Sequence, residues 1–359
     1  MNPRRLLGYL LSLAVTIIFL AIALAPVDFE KLARAFAAAD YRYAFFAAGA
    51  TLTAYIFRAA RWRQLLAPTQ KISVARLFPV LIVGFALNNL LPGRPGEFVR
   101  AHVLGKRENI SRMLGFGTVV LERVVDGLTL LAFLLFAFVA FSPLHLNLPE
   151  LAKAIGSIAL FIFALALAGI IFLLKREQLA LRLFHRLTQF LPRRFVARVE
   201  QMIGSFMLGM HSLHSAREVA LIALLSLAVW VCEFISYFAM LTAFHTLPAF
   251  SLRPVVAAMT MVLINLGIMI PAAPGGLGPY EAAGIFALSA FNVNANDAAS
   301  FALAMHATQY LLITSLGFIF IWREGVSLVK MSTVDSQQST VNSKQYVVTV
   351  YLSFRSTRL

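Results

Sequence analysis

Two proline- and glycine-rich segments interrupt long apolar stretches of this chain, and they limit its possible folds more than any other feature. The first reads Pro-Gly-Arg-Pro-Gly at 92–96 and the second Pro-Gly-Gly-Leu-Gly at 274–278. Such breaks free backbone polar groups that hydrocarbon cannot satisfy, so at membrane depth they are tolerated only inside protein or beside water. A pair of breaks in corresponding halves of a membrane chain predicts a transport site near the bilayer midplane.

The composition is typical of an integral membrane protein. Of 359 residues, 60% are hydrophobic and 13% are charged, whereas soluble domains carry about 25% charged residues. We predict one integral membrane domain over 1–330 and a polar, disordered tail over 331–359. The net charge of +15 comes mainly from basic residues between apolar segments, where they set orientation. Because no nucleic-acid-binding motif accompanies them, no nucleic acid partner is expected.

The expected fold class is all-α, a polytopic membrane helix bundle with about six full spans. Apolar stretches of about 20 residues mark each span, and the first is read as an uncleaved span in preference to a signal peptide. Two broken segments, 77–104 and 254–291, each predict a helix, a turn and a shorter helix back. The six spans are expected near 6–25, 42–63, 113–141, 152–174, 218–247 and 298–322.

Basic residues predict the orientation of these elements. They place both termini on the cytoplasmic side of the cytoplasmic membrane, with the first hairpin re-entering from that side and the second from outside. Pro274 lies 182 positions after Pro92. Adding this offset to the spans before and after the first hairpin gives positions that overlap the spans before and after the second. Units of about 42–141 and 218–323 therefore predict an inverted repeat. The basic linker 175–217 between them predicts either interfacial helices or a solvated loop.

Ionisable residues inside apolar spans are costly and mark candidate functional sites. Glu122 and Asp126 are four residues apart and share one helix face, while Arg94 and Arg100 of the first hairpin are the nearest expected cations. An arginine fork suits a phosphate-bearing headgroup. The alternative is a buried ion-pair network that only docks the hairpin. The candidate headgroup-binding residues of this half are Asn88, Asn89, Arg94, Glu97, Arg100, Glu122, Arg123 and Asp126.

The second hairpin tip lacks an arginine, which predicts a gating or coupling role instead of anion binding. Its glycines permit tight turning and close approach of the backbone. Outside the tips, Arg58 and Arg61 are better interpreted as snorkelling anchors than as headgroup contacts. His306 in the last span is able to take up a proton, but a lone histidine favours a structural interpretation. The candidates at the second tip are Gly275, Gly276, Gly278, Tyr280 and Glu281.

Three segments, taken together, resemble the family named for the transmembrane flippase domain of lysylphosphatidylglycerol synthase. They are Asn-Leu-Leu-Pro-Gly-Arg-Pro-Gly-Glu-Phe-Val-Arg at 89–100, Gly-Thr-Val-Val-Leu-Glu-Arg-Val-Val-Asp at 117–126 and Pro-Gly-Gly-Leu-Gly-Pro-Tyr-Glu at 274–281. The resemblance covers about 5–325 and implies an inner-membrane protein that handles polar lipids. The aminoacyl-transferase domain of the fused synthases has no counterpart after 325, so lipid aminoacylation is not expected.

The leading expectation is a lipid flippase for a polar, phosphate-bearing headgroup, with membrane lipids of the anionic or polyisoprenyl-phosphate type as partners. Neither a nucleotide-binding loop nor a metal or catalytic motif is evident, so no cofactor, metal or enzymatic activity is expected, and coupling to a proton or ion is left open. The alternatives are a membrane enzyme acting on lipid phosphates and a non-transporting partner of a lipid-synthesis complex. The sequence leaves the lipid, the direction and the oligomeric state open.

Overall fold

The computed structural model describes residues 3–91, 94–141, 215–246, 253–270, 272–323 and scattered positions between 150 and 196. Within these residues the fold is all-helical, as predicted. The predicted span 152–174 and linker 175–217 lie mostly outside the described residues, and the tail 331–359 lies wholly outside them. The described helices are α1 (Pro3–Leu24), α2 (Phe29–Ala38), α3 (Tyr41–Leu66), α4 (Val74–Leu90), α5 (Gly96–Glu108), α6 (Arg112–Phe141), α7 (Ala216–Ala243), α8 (Arg253–Gly267), α9 (Pro279–Ser289) and α10 (Ala295–Arg323).

Several helices begin at side chains that cap their free backbone N–H groups. The Asp28 carboxylate accepts from the N–H groups of Glu30 and Lys31 at the start of α2, and Asp40 caps α3 in the same way. Ser215 and Glu218 form a reciprocal capping box at the start of α7. These caps satisfy donors that have no partner inside the helix. Helix α2, which the sequence analysis did not predict, follows α1 after a bend of 80°.

Helices α7 and α10 are the two described helices that are long and apolar enough to cross a membrane, and the bent pair α1–α2 would be a third. Helices α3 and α6 have 26 and 30 residues, enough for a bilayer of about 30 Å, but they carry several charged side chains. The helices match the predicted spans closely in position. The number of full spans stays a prediction.

The first Pro-Gly break lies between α4 and α5, which fold back on each other. Gly84 and Gly96 lie at their contact, where a Cβ on Gly96 would collide with the carbonyl oxygen of Gly84. The Gly96 N–H donates to Asn88 Oδ1 at 2.8 Å. Glycine at this position lets the two backbones approach closely, so the break forms a tight helical hairpin.

The second break lies between α8 and α9, which also form a hairpin. A Cβ on Gly267 would lie 2.6 Å from that of Ala283. The connecting turn, Pro274–Gly276, is tied to α1, because Thr16 Oγ1 donates to the Leu277 carbonyl at 3.0 Å and accepts from the Ala273 N–H at 2.9 Å.

The chain divides into two compact units, Met1–Gly317 and Phe318–Leu359, and all packing described here lies in the first. Helix α3 lies along α7, with Thr51 Oγ1 and Ser236 Oγ 2.9 Å apart in its buried interface. An apolar core joins α7 to both helices of the second hairpin and to α10. Its large members include Tyr237, Met240, Met259, Ile264, Phe301 and Met305.

Candidate functional site

Four arginines and three carboxylates meet inside the fold, drawn from four helices. We call them the arginine–carboxylate cluster. Helix α3 supplies two arginines, α5 one, α6 an arginine and two carboxylates, and α7 the third carboxylate. All are buried except the guanidinium of Arg123, whose side chain is 37% exposed. The members are Arg58, Arg61, Arg100, Glu122, Arg123, Asp126 and Glu233.

Glu122 of α6 holds the first hairpin against α3 and α6. Its two carboxylate oxygens accept from Arg100 of α5, at 2.9 Å to Nη2 and 3.4 Å to Nη1. Arg61 Nη2 of α3 lies 3.4 Å from the same carboxylate, and Arg123 Nη2 donates to it at 3.1 Å. Both the Arg61 and the Glu122 side chains are 0% exposed, so each charge depends on its partners instead of water.

Asp126 lies one helical turn further along α6 and joins the two arginines of α3. Its carboxylate accepts from Arg61 Nη1 at 2.7 Å and from Arg58 Nη1 at 3.2 Å. Arg123 Nη2 lies 3.4 Å away. Three guanidinium groups therefore surround this one buried carboxylate.

Glu233 of α7 is the third carboxylate and has fewer charged partners. It accepts from Arg58 Nη2 at 3.5 Å and from the neutral amide of Gln309 in α10 at 3.2 Å. Gln309 in turn accepts from the Tyr280 hydroxyl at 3.0 Å. A continuous polar connection thus runs from the cluster to the second hairpin.

Aromatic rings line the cluster on its other side. The guanidinium carbons of Arg58, Arg100 and Arg123 lie 5.6–5.8 Å from the centre of the Phe85 ring, and that of Arg100 lies 4.3 Å from the Trp62 ring. Ring faces attract cations in a water-poor setting. These faces therefore stabilise the excess of positive charge.

The arginines keep unused hydrogen-bonding capacity. Within the described part of the chain, the buried Nε atoms of all four have no hydrogen-bond partner. Four guanidinium groups face three buried carboxylates, and the partly exposed Glu97, 3.8 Å from Arg123 Nε at the rim, supplies the fourth negative charge. Arginine N–H donors without a hydrogen-bond partner are the chemistry that binds an anion such as phosphate.

A second polar cluster surrounds the second hairpin tip. His306 Nδ1 of α10 lies 2.5 Å from Glu281 Oε1, and His306 Nε2 lies 3.1 Å from the Gly275 carbonyl oxygen. The Tyr280 ring stacks on the imidazole at 4.0 Å, and its hydroxyl lies 3.3 Å from that of Tyr237. The other oxygen of Glu281 accepts from the Gly278 N–H at 2.8 Å, which holds the carboxylate in place.

The two hairpins contact each other near their tips. Arg94 of the first, in the left-handed backbone region at φ 51°, donates through Nη2 to the Ile268 carbonyl at the end of α8. The Tyr310 hydroxyl lies 3.4 Å from the Asn89 carbonyl oxygen, and a Cβ on Gly275 would lie 2.6 Å from the Tyr310 ring. The tips therefore meet around Tyr310.

The predicted candidates fall into three places. Arg100, Glu122, Arg123 and Asp126 are in the arginine–carboxylate cluster, with Glu97 at its rim. Tyr280, Glu281 and Gly275 surround His306, and Gly278 holds the Glu281 carboxylate. Asn88, Asn89 and Arg94 lie at the first tip, where Asn89 also donates to Thr314 at 3.1 Å, and Gly276 lies at the second with its φ at 76°.

One interpretation made from the sequence is wrong. Arg58 and Arg61 are buried and ion-paired with Asp126; they are not snorkelling anchors, because α3 faces other helices at this level. Sequence reasoning also missed Glu233 and Gln309. Glu233 is a carboxylate within the apolar span 218–247, and that alone is a signal by which it can be found from the sequence. A neutral amide such as Gln309 gives no comparable signal.

Comparison with known proteins gives matches to membrane proteins. The family described as "Lysylphosphatidylglycerol synthase TM region" matches residues 9–317. A UPF0104 membrane protein of Methanothermobacter thermautotrophicus is 28% identical over 251 residues, covering 67% of this chain and 73% of the relative. A UPF0104 membrane protein of Methanocaldococcus jannaschii is 25% identical over 320 residues, covering 86% of this chain and 92% of the relative.

A more distant relative bears an enzyme's name. Glycosyltransferase AglD of Haloferax volcanii is 23% identical over 303 residues, which are 76% of this chain and 47% of that protein. The family match covers most of the chain and includes both hairpins, the arginine–carboxylate cluster and the Glu281–His306 pair. The chain is therefore an integral membrane protein that belongs to the lysylphosphatidylglycerol synthase transmembrane-region family.

Proposed function

We propose that this protein moves the phosphate-bearing headgroup of a membrane lipid across the cytoplasmic membrane. The observation that carries the proposal is the arginine–carboxylate cluster, whose four arginines have Nε atoms without a hydrogen-bond partner among the described residues. Membership of a family named after a lipid-modifying synthase supports a lipid substrate. The substrate class is an anionic phospholipid or a polyisoprenyl phosphate, whose hydrocarbon chains stay in the bilayer while the headgroup enters.

Arg123 and Arg100 are the proposed phosphate contacts. Arg123 is the cluster's most accessible arginine. The two Nη atoms of Arg100 are held by Glu122, and its Nε keeps an N–H donor without a hydrogen-bond partner among the described residues. Glu122, Asp126 and Glu97 balance the charge of the empty site. Arg94, Asn88 and Asn89 act at the first tip, and Gly275, Gly276, Gly278, Tyr280 and Glu281 form the gate at the second.

The proposed topology keeps both termini cytoplasmic, with six spans and two hairpins that re-enter from opposite sides. Contacts between distant segments support it. The Asp28 N–H donates to Asn296 Oδ1 at 2.7 Å; Asp28 follows the first span and Asn296 follows the second hairpin, so the predicted topology places both outside. Arg76 and Glu108 pair at 3.1 Å at the two ends of the first hairpin, which is predicted to re-enter from the inside.

Corresponding positions in the two units support an inverted repeat. The same offset of 184 positions relates Glu97 to Glu281 and Glu122 to His306. In each unit a hairpin residue pairs with the following long helix, as Arg100 does with Glu122 and Glu281 with His306. Arg100 and Glu281 do not correspond at this offset and carry opposite charges, so the two pairs differ in chemistry, which supports different roles for the two hairpins.

An enzymatic function is the second candidate, because one relative is named a glycosyltransferase. The matched region is about half of that protein, so its name does not assign a reaction to the matched region. An accessory role in a lipid-synthesis complex is the third candidate. Purified protein incubated with undecaprenyl phosphate and sugar nucleotides distinguishes them: a new product favours the enzyme, and activation of an added synthase favours the accessory role.

The test of the flippase proposal uses purified protein in vesicles that contain acyl-labelled fluorescent phosphatidylglycerol or, in parallel, undecaprenyl phosphate. Sidedness of the labelled lipid is read by dithionite quenching, and sidedness of the polyisoprenyl phosphate by an impermeant phosphatase. We expect vesicles with the wild-type protein to move at least one of these two lipids. Arg123→Gln should slow that movement about tenfold, which corresponds to a free-energy difference of about 1.4 kcal/mol.

Arg94→Ala is expected to abolish movement, because it removes the contact between the tips. Arg34→Ala is the matched control, since this exposed arginine pairs only with Glu30 of the same helix among the described contacts. Wild-type rates in Arg123→Gln and Arg94→Ala would rule out the proposed roles. Failure of the wild type to move either lipid would count against the flippase.

A further inference from the structure

The imidazole of His306 is placed so that both of its ring nitrogens face acceptors. Nδ1 lies 2.5 Å from Glu281 Oε1 and Nε2 lies 3.1 Å from the Gly275 carbonyl oxygen. A neutral imidazole carries one N–H and one bare nitrogen, so it satisfies only one acceptor. A carbonyl oxygen never donates, so Nε2 must carry a proton for this contact to be a hydrogen bond.

The proton between Nδ1 and Glu281 then has two locations. It lies either on His306, giving an imidazolium beside a carboxylate, or on Glu281, giving a neutral pair. Both arrangements contain the same number of protons, one more than a neutral imidazole beside a carboxylate. With hydrogen bonds at both contacts, the pair therefore holds one additional proton in this conformation.

The surroundings isolate this proton from water. The His306 and Glu281 side chains are 8% and 1% exposed, and the Tyr280 ring covers one face of the imidazole at 4.0 Å. The other ionisable groups that face it are Tyr310, edge-on at 6.1 Å, and Tyr237, through the Tyr280 hydroxyl. Neither arginine nor lysine is among these described neighbours, so Glu281 is the only charged group facing the proton.

The acceptor for Nε2 belongs to the second hairpin tip. Gly275 has φ 74° and lies in the Pro274–Gly276 turn, where an added Cβ would lie 2.6 Å from the Tyr310 ring of α10 and 3.5 Å from the Asn89 carbonyl oxygen of the first hairpin. Movement of the tip away from α10 would remove the carbonyl from Nε2 and admit water there. Holding the proton thus requires the tip to be seated.

We propose that Glu281 and His306 form a proton-binding site that the seated second hairpin closes and its displacement opens. One proton enters from water onto the pair as the tip seats, and it leaves from Nε2 to water when the Gly275 carbonyl moves away. No covalent step or further reactant is involved. The role of the site, which is to couple proton movement to headgroup translocation, rests on the proposed function. The site itself is defined by contacts within the protein and needs no lipid.

Nuclear magnetic resonance of the full chain in lipid vesicles tests the site directly. ¹⁵N-labelled histidine reports how many ring nitrogens are protonated, and ¹³C-labelled glutamate reports the Glu281 carboxyl; His306→Gln and Glu281→Gln identify the signals. At pH 7 we expect either an imidazolium with a carboxylate or an Nε2–H imidazole with a protonated carboxyl. A neutral imidazole beside a carboxylate would overturn the proposal.

Two glycines provide a pair of variants for the link to the tip. A Cβ at Gly275 would press on the Tyr310 ring at 2.6 Å, whereas one at Gly49 of α3 meets nothing within 4 Å. Gly275→Ala should displace the turn and lose the additional proton at pH 7. Gly49→Ala changes a helical position outside the tip and should keep it. An unchanged proton count in Gly275→Ala would contradict the opening step.

Vesicles with an imposed pH gradient test the coupling. Wild-type movement of labelled phosphatidylglycerol or undecaprenyl phosphate should differ about fivefold or more between the two gradient directions, and His306→Gln should not respond to direction. His102→Gln, on the first hairpin, is the control and should respond as the wild type does. Equal wild-type rates in both directions would overturn the coupling. Absence of any lipid movement would instead refute the proposed function, while the spectra would still decide whether the proton site exists.

Discussion

Arg58 of α3 donates through Nη2 to Glu233 of α7 at 3.5 Å, although 175 positions separate them in the chain. The same guanidinium donates through Nη1 to Asp126 of α6 at 3.2 Å. One arginine thus joins the two proposed repeat units at the arginine–carboxylate cluster. Asp126 has three arginine partners and Glu233 has one. Neutralising these two carboxylates should therefore change the stability of the protein by different amounts.

Neutralising Asp126 should destabilise the protein much more than neutralising Glu233. Asp126→Asn leaves Arg58, Arg61 and Arg123 short of a counter-charge and should cost about 3–5 kcal/mol, the usual effect of breaking a buried pair. Glu233→Gln disturbs one long ion pair and should cost about 1 kcal/mol. Unfolding in detergent by chemical denaturation measures both. Equal losses of stability would contradict the unequal charge compensation described here.

Arg100→Lys should behave as a severe substitution despite its conserved charge. Lysine cannot donate from two Nη atoms to Glu122 or lie flat at 4.3 Å from the Trp62 ring, because it lacks the planar fork. We expect stability to fall by about 1–3 kcal/mol and anionic lipid movement to slow. Arg63→Lys, at the end of the same helix as Trp62, is the control. Wild-type stability and transport in Arg100→Lys would show that charge alone suffices.

Gly96→Ala should open or unfold the first hairpin. Its Cβ would collide with the Gly84 carbonyl, which belongs to backbone and cannot rotate away, so we expect a loss of about 1–3 kcal/mol. Gly49→Ala is the matched control, because a Cβ at that helical position meets nothing within 4 Å and alanine favours the helix by about 0.5–1 kcal/mol. Thermal unfolding of the two variants should therefore shift in opposite directions.

Cysteine labelling should show both hairpin tips buried at membrane depth and reachable from opposite sides. The background is Cys232→Ser, which removes the chain's one cysteine. In it, Pro95→Cys should react with an impermeant maleimide only from the cytoplasmic side and Leu277→Cys only from outside, each more slowly than exposed controls.

Glu30→Cys and Lys106→Cys serve as the outside and inside controls for that labelling. Glu30 lies in α2, which follows α1, and the predicted topology places it outside. Lys106 lies near the end of α5, and the predicted topology places it inside. Rapid reaction of the two tips from the same side would contradict the inverted arrangement. Reaction of both at the rate of the controls would place them in bulk solvent and remove the basis of the transport mechanism.

The sequence by itself determined the membrane class, the positions of the long helices and the two hairpins. Apolar runs of helical length and proline–glycine breaks are local signals, and they carry that information without reference to distant residues. The same reasoning found Glu122, Arg123 and Asp126, because a charge in an apolar span is conspicuous wherever it lies.

Only the tertiary structure decided which of these charges meet. Packing of α3 against α6 and α7 turned Arg58 and Arg61 inward, and it brought Glu233 and Gln309 to the cluster from far along the chain. It also set His306 between Glu281 and the Gly275 carbonyl. Helical periodicity gives the face of one helix, but the partner of that face depends on how all the helices pack, which no local pattern encodes.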